Sequence, residues 1–126
     1  HMAFEYGSEN RWHDQYFGKN VTVEADGTEC PERLAVGEHH GALAVTVAAA
    51  AAGAVTNGTI TLLDSDQVDC GFAEKEDAPV LTVKSAAPEA GDIIAKMVLP
   101  DCKRYVGIKL GGTMPNCDVF LSYRAR

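Results

Sequence analysis

The chain lacks long apolar runs and recognisable catalytic motifs. No stretch approaches the roughly 20 consecutive apolar residues that a membrane-spanning helix needs, and the first residues do not form the basic-then-apolar pattern of a secretory signal. The GxSxG turn of serine hydrolases and the glycine-rich phosphate-binding loop are also missing. These absences predict a soluble protein that is not secreted and has no membrane partner.

Positive charge is scarce. Lysine and arginine total 11 against 18 aspartates and glutamates, which gives a formal net charge of −7. A balance of this sign repels nucleic-acid phosphates and anionic lipid surfaces. We therefore expect no nucleic-acid partner.

Histidine is also scarce, and its positions do not indicate a catalytic site. The four histidines are His1, His13, His39 and His40, so none lies beyond the first third of the chain. Nucleophilic catalysis needs a serine or cysteine beside a base that is itself oriented by an acid. The sequence around His39 and His40 reads as an exposed loop without such partners. We therefore predict that the protein is not an enzyme and has no cofactor.

The four cysteines show no metal-binding spacing. Cys30, Cys70, Cys102 and Cys117 are widely separated along the chain, with no CxxC pair. A reducing compartment favours free thiols, although Cys102 and Cys117 flank the last predicted hairpin and are the pair to test for a bridge. The acidic residues of 64–77 do not follow a calcium-loop pattern. We expect a solvated surface connection there and no metal.

What the sequence does contain is β-strand alternation, clearest in its last third. The segments GDIIAKMVLPD, KRYVGIKLGG and CDVFLSYR are separated by proline, glycine and asparagine. In the second segment Val106, Ile108 and Leu110 share one face, the period of two that a half-buried strand requires. Val119 and Leu121 repeat this pattern in the third segment. The block predicts three consecutive strands in a hairpin or meander.

Shorter alternating runs precede this block. Residues 43–48 predict a strand followed by a loop, in competition with an alanine-rich helix over 42–55. Asn57-Gly58 predicts a hairpin turn before a strand. The remaining strands are predicted at 19–24, with Val21 and Val23 inward, at 59–63, around 70–74 and at 80–85. Seven or eight short strands indicate an all-β fold, an antiparallel β-sandwich.

Aromatic residues are concentrated near the amino terminus. More than half of them lie no later than Phe17: Phe4, Tyr6, Trp12, Tyr16 and Phe17. They follow no clean period, so we predict an extended arm over residues 1–18 that ends in an irregular segment, and a sandwich domain over 19–126. His1-Met2 resembles a cloning remnant. The hypothesis is that these five aromatics contact another subunit or partner; the alternative is that the arm folds over its own barrel.

Three segments carry a family resemblance: VTVAAAAAGAVTNGTITLLDSDQ, GDIIAKMVLPDCKRYVGIKLGG and DVFLSYR, within residues 43–67 and 91–124. Their order resembles that of the small capsid cement, or decoration, proteins of tailed bacteriophages. The resemblance implies a jelly-roll type sandwich, often a homotrimer, made in the bacterial host cytoplasm and bound to the outside of the virion capsid. Its partner would be the phage major capsid protein, whose subunits it would bridge.

A second interpretation assigns the chain to another class. A carbohydrate- or receptor-binding β-sandwich module of a phage tail or adhesin would use aromatic side chains as sugar platforms and acidic loops as a calcium site. A glycan array that is positive only with calcium would favour this alternative, whereas co-sedimentation with expanded capsids would favour the cement protein.

Overall fold

The computed structural model describes residues 11–36, 43–67, 70–74, 80–99 and 103–123. These ranges contain ten strands and no helix, which confirms the predicted all-β class. The strands are β1 (Arg11–Val21), β2 (Thr28–Glu29), β3 (Leu34–Ala35), β4 (Leu43–Ala49), β5 (Thr56–Ser65), β6 (Ala73–Glu74), β7 (Leu81–Val83), β8 (Ile93–Val98), β9 (Tyr105–Thr113) and β10 (Cys117–Tyr123).

The strands form two antiparallel sheets. The first sheet has the order β1-β10-β4-β8. In the second sheet β9 and β5 are central; β2 and β3 pair with the free side of β9, and β6 and β7 pair with the free side of β5. If each of these two short pairs counts as one interrupted strand, the ten strands occupy eight positions, four in each sheet. Their order is that of a jelly-roll sandwich, as predicted.

The carboxy-terminal block is not a meander. Strands β8 and β10 lie in the first sheet, whereas β9, between them in sequence, lies in the second. The hairpin or meander prediction is therefore wrong, although all three strands are present. Alternation reports which face of a strand is buried. It does not report which strand is the neighbour, so connections that cross between sheets produce the same pattern as hairpins.

The predicted irregular end of the arm is wrong for residues 11–17. These residues belong to β1, which continues through Gly18 to Val21 and so crosses the predicted boundary between residues 18 and 19. The strand predicted at 19–24 also ends early, at Val21. Pairing of β1 with β10 shifts register three times between Arg11 and Val21. Each β-bulge resets the alternation of side chains, which is why no period of two is visible here.

Asn57-Gly58 is not a hairpin turn. Both residues lie inside β5, and the register with β9 shifts between Thr56 and Thr59. Asn57 has a φ of 55°. Asparagine tolerates positive φ, and here it adopts that conformation in a β-bulge instead of a turn. Gly112, on the facing strand, has a φ of 82°, and a Cβ there would overlap the Asn57 carbonyl oxygen. The predicted strand at 59–63 is confirmed as part of β5.

Strand β4 confirms the strand interpretation of the alanine-rich segment. All seven of its residues are buried. Leu43, Val45 and Val47 join the core between the sheets, while Ala44 and Ala48 lie on the opposite face and are buried as well. Small side chains suit a strand that is covered on both faces. Large fully buried members of the core include Phe17, Leu43, Ile60, Leu62, Leu99, Ile108, Leu110 and Leu121.

The acidic connection starts later than predicted. Asp64 and Ser65 belong to β5, and both are buried. The Asp64 Oδ2 accepts the Lys103 backbone N–H at 3.0 Å. The Ser65 hydroxyl donates to the Cys70 carbonyl at 2.6 Å and accepts the Gln67 N–H at 3.0 Å. These bonds allow the end of the strand to be buried, because each polar group has a partner.

Candidate interaction surface

The five amino-terminal aromatic residues do not form one surface. Phe17 has no solvent exposure and lies in the core between the sheets, while its carbonyl accepts the Glu32 N–H at 2.8 Å. The interface hypothesis does not apply to Phe17, because a side chain without exposed surface offers nothing to a partner. Trp12 belongs to β1. Phe4 and Tyr6 lie outside the described residues.

Tyr16 is half-buried and its ring packs on Phe120. The two ring centroids are 5.2 Å apart with a tilt of 48°, a geometry that aromatic pairs favour. The Lys19 Nζ lies 4.5 Å from the centroid of the Tyr16 ring, close enough for a cation–π contact. Of the five predicted interface residues, Tyr16 is thus the one whose described side chain reaches the surface.

A different part of the molecule exposes large apolar side chains. Among the described residues these are Val80, Ile93 and Val98, with 48%, 42% and 45% of their surface accessible. Ile93 and Val98 are the two ends of β8. Val80 immediately precedes β7, which lies beside β8. We name this margin of the sandwich, formed by β8 and these three side chains, the open edge.

The open edge also presents backbone groups. Strand β8 pairs with β4 on one side, and within the described ranges no strand pairs with its other side. Unpaired N–H and C=O groups along an edge are a template for another chain. Charged residues commonly block such edges, but Lys96 is the one charged residue of β8. This combination of apolar side chains and strand backbone suits a protein partner.

Sequence reasoning located β8 but did not identify its edge position. The run Ile93, Ile94, Ala95 and Met97 places apolar residues on both faces. Ala95 and Met97 pack partly against the core, whereas Ile93 and Val98 are exposed. An apolar outer face was the available sign that this strand meets something besides its own core.

The outer face of the second sheet carries a packed trio of Glu29, Arg33 and Phe72. The Arg33 Nε donates to Glu29 Oε2 at 2.9 Å, and the guanidinium carbon lies 4.2 Å from the centroid of the Phe72 ring. The trio packs over Gly107, where a Cβ would lie 3.4–3.7 Å from all three side chains, in ordinary van der Waals contact. The Phe72 ring is therefore occupied by protein groups and is not an open stacking platform.

The two buried thiols, Cys30 and Cys117, are unsuited to nucleophilic chemistry. Burial, with a smaller contribution from Cys117, raises the pKa of Cys30 to about 12. Burial and Asp118 raise the pKa of Cys117 to about 11. Both thiols stay protonated at neutral pH, and the thiol is a far weaker nucleophile than the thiolate. Cys30, Cys70 and Cys117 are free, as predicted for them; Cys102, considered as a partner for Cys117, lies outside the described residues.

Metal-binding clusters and membrane-spanning helices are absent from the described part of the chain. It holds no group of three or more histidine, cysteine, aspartate or glutamate side chains placed to bind a metal ion. His39, His40, Asp69, Glu76 and Asp77 lie outside it. No helix long and apolar enough to cross a membrane was found among the described residues.

Comparisons with known proteins return no relatives. No protein-family model matches the chain, and neither a curated protein nor a solved structure matches it. The fold, the exposed surfaces and the sequence resemblance described above are therefore the features that bear on function.

Proposed function

We propose that this chain is a capsid cement protein of a tailed bacteriophage. It binds the outer surface of the capsid and bridges major capsid subunits. The observation that carries the proposal is the open edge of a jelly-roll sandwich, where Val80, Ile93 and Val98 are exposed at β8, whose second edge pairs with no strand of the described ranges. The choice of capsid cement proteins as the functional class rests on the sequence resemblance within residues 43–67 and 91–124. The surface supplies a physical means of adhesion.

The mechanism is selective binding to the assembled shell. A ligand that binds only one state stabilises that state by mass action. Apolar anchors that become buried between cement and capsid contribute about 25 cal/mol for each Å² removed from water. A homotrimer engages several capsid sites at once and gains further through its high effective concentration. We therefore propose a homotrimer whose chains contact the major capsid protein through the open edge.

Co-sedimentation with capsid shells tests the proposal. Shells assembled from the major capsid protein encoded in the same genome are mixed with the purified chain, and the bound fraction is measured against concentration. Saturable binding is expected. Ile93→Lys with Val98→Lys should weaken binding at least about tenfold, equivalent to about 1.4 kcal/mol, because two apolar anchors become charged. Thr22→Lys, at an exposed position beyond β1, is the matched control and should bind like the wild type.

Two results would count against the proposal. Absence of wild-type binding to expanded shells would remove the cement function itself. Unchanged binding by the double lysine variant would remove the open edge as the contact surface. Sedimentation equilibrium tests the homotrimer separately, since a mass of one chain at micromolar concentration would contradict it. Calcium-dependent glycan binding without shell binding would favour the carbohydrate- or receptor-binding alternative.

A further inference from the structure

Each sheet contributes one buried thiol to the core. Cys117 is the first residue of β10 in the first sheet, and it has no solvent exposure. Cys30 directly follows β2 of the second sheet, where its N–H donates to the Ile108 carbonyl at 2.8 Å, and it is 2% exposed. Both side chains belong to the same hydrophobic cluster between the sheets. A bond between these two thiols would join one sheet to the other.

Strand β1 brings the surroundings of the two cysteines together. Val21 of β1 is the register partner of Cys117 in β10. A Cβ on Gly18 would lie 2.5 Å from Val21 Cγ2 and 2.9 Å from Pro31 Cδ. The residue paired with Cys117 and the residue that follows Cys30 therefore meet at one point of β1.

Two further observations agree with this proximity. The Glu32 N–H donates to the Phe17 carbonyl at 2.8 Å, which ties the segment after Cys30 to the first sheet. Burial raises the pKa of the Cys30 thiol, and Cys117 raises it further. One charged group has this effect on another of the same sign only at short range. The two thiols are therefore neighbours across the space between the sheets.

We propose that Cys30 and Cys117 form a disulfide between the two sheets when the chain meets a small-molecule disulfide such as oxidised glutathione. The first thiolate attacks one glutathione sulfur, whose S–S bond breaks, so that a mixed disulfide forms and one glutathione leaves. The second thiolate attacks the protein sulfur of that mixed disulfide and expels the other glutathione. Two protein thiols are oxidised, one glutathione disulfide is reduced, and the two thiol protons end on the two released glutathiones.

Opening of the fold controls the rate of this oxidation. Both thiols are buried and stay protonated at neutral pH, so the oxidant reaches them when the sandwich opens or while the chain is still folding. Oxidation gives up the hydrogen bond that the Cys117 Sγ donates to the Pro115 carbonyl at 3.1 Å, and a thiol is a weak donor. The reduced form therefore persists in a reducing compartment, and the disulfide forms during folding under oxidising conditions.

Peptide mapping of the full chain tests the pairing. The reduced protein is unfolded in guanidinium chloride, refolded in a buffer rich in oxidised glutathione, and alkylated to block the remaining thiols. Trypsin, which cuts after lysine and arginine, then places each cysteine in a different peptide: 20–33, 34–75, 97–103 and 110–124. A disulfide-linked pair of 20–33 with 110–124 is expected. Linkage of either peptide to a different partner, such as 110–124 to 97–103, or alkylation of both Cys30 and Cys117, would overturn the proposal.

A thermal measurement supplies a second readout. In a chain with Cys70→Ser and Cys102→Ser, the oxidised form should have a Tm roughly 10 °C above that of the reduced form, because the new bond closes a long loop in the unfolded chain. The matched control also carries Cys117→Ala, and its Tm should differ by less than about 2 °C between the same two buffers. An equal Tm for the two forms of the first variant would contradict the link between the sheets. Peptide mapping of the wild type decides if the variants do not fold, and neither measurement depends on the cement function.

Discussion

The hydroxyl pair of Thr46 and Ser122 lies on the face of the first sheet opposite the core, and it offers a sharp test of whether that face is closed to water. Thr46 and Ser122 are both without solvent exposure, and their oxygens are 2.9 Å apart. Thr46→Val replaces the hydroxyl by a methyl group of similar size and leaves Ser122 buried without this partner. A buried hydroxyl that loses its partner costs about 1–3 kcal/mol. Ser122→Ala likewise leaves the Thr46 hydroxyl buried without this partner. Each single variant should therefore lose about 2 kcal/mol of unfolding free energy.

The double variant should be much less destabilised than the sum of the two. With both hydroxyls gone, no buried polar group is left unpaired, and replacing both partners by apolar groups can be nearly neutral. We expect the double variant to lose about 1 kcal/mol of unfolding free energy, whereas the sum of the two single variants would be about 4 kcal/mol. The coupling energy between the two hydroxyls is then about 3 kcal/mol.

Urea unfolding followed by circular dichroism measures the free energy of unfolding of the wild type, the two single variants and the double variant. The slope of the free energy with urea should be equal in the four proteins, which shows that the substitutions do not change the surface exposed on unfolding. Additivity within about 0.5 kcal/mol would refute the reasoning. It would mean that water reaches the hydroxyls and satisfies each one alone, so that this face of the first sheet is open to solvent.

Other features of the structure make further predictions. Gly112→Ala should destabilise the fold by at least about 2 kcal/mol more than Gly91→Ala in urea unfolding. Both glycines have positive φ, which costs about 1 kcal/mol for alanine. Of the two, only Gly112 would place its Cβ against a backbone carbonyl, whereas a Cβ at Gly91 meets nothing within 4 Å. Equal losses would contradict this assignment. The free energy of unfolding should fall as pH rises from 9 towards 12. The pKa of Cys30 is raised from 9.0 to about 12 in the folded state, so the unfolded state releases that proton at lower pH. Cys30→Val should make this fall less steep, and a pH profile identical to that of the wild type would contradict the prediction. Phe17→Ala should cost about 3–5 kcal/mol as a cavity in the core, and Tyr16→Ala clearly less, since its ring is half-buried; thermal unfolding of the two variants checks the order, which a larger loss at Tyr16 would reverse.

Sequence reasoning succeeded where the period of two is unbroken. Residues 43–48 and 105–110 alternate cleanly, and both are strands with their apolar residues in the core. It failed at β1, where three register shifts between Arg11 and Val21 remove the alternation. It also misassigned Asn57, because asparagine tolerates positive φ equally in a turn and in a bulge.

The candidate interaction surface was harder to predict than the fold. Aromatic density drew attention to the amino terminus, yet Phe17 belongs to the core. The open edge, with Ile93 and Val98, lies in a strand that the sequence marks only as apolar. Whether an apolar strand is central or lies at an edge depends on which strands pair beside it. That information is spread over the whole chain.

The all-β class, most of the strands and the strand interpretation of the alanine-rich segment follow from local patterns in the amino-acid sequence. These properties are local, since alternation and turn residues act over a few neighbours. The three-dimensional structure is needed to see that β8, β9 and β10 alternate between two sheets, that β8 lies at an edge among the described strands and that Phe120 is buried outside the core cluster. These properties come from pairing between distant segments, such as Arg11 with Ser122. No local pattern encodes the partner, because the pleat of a strand records only which side is covered.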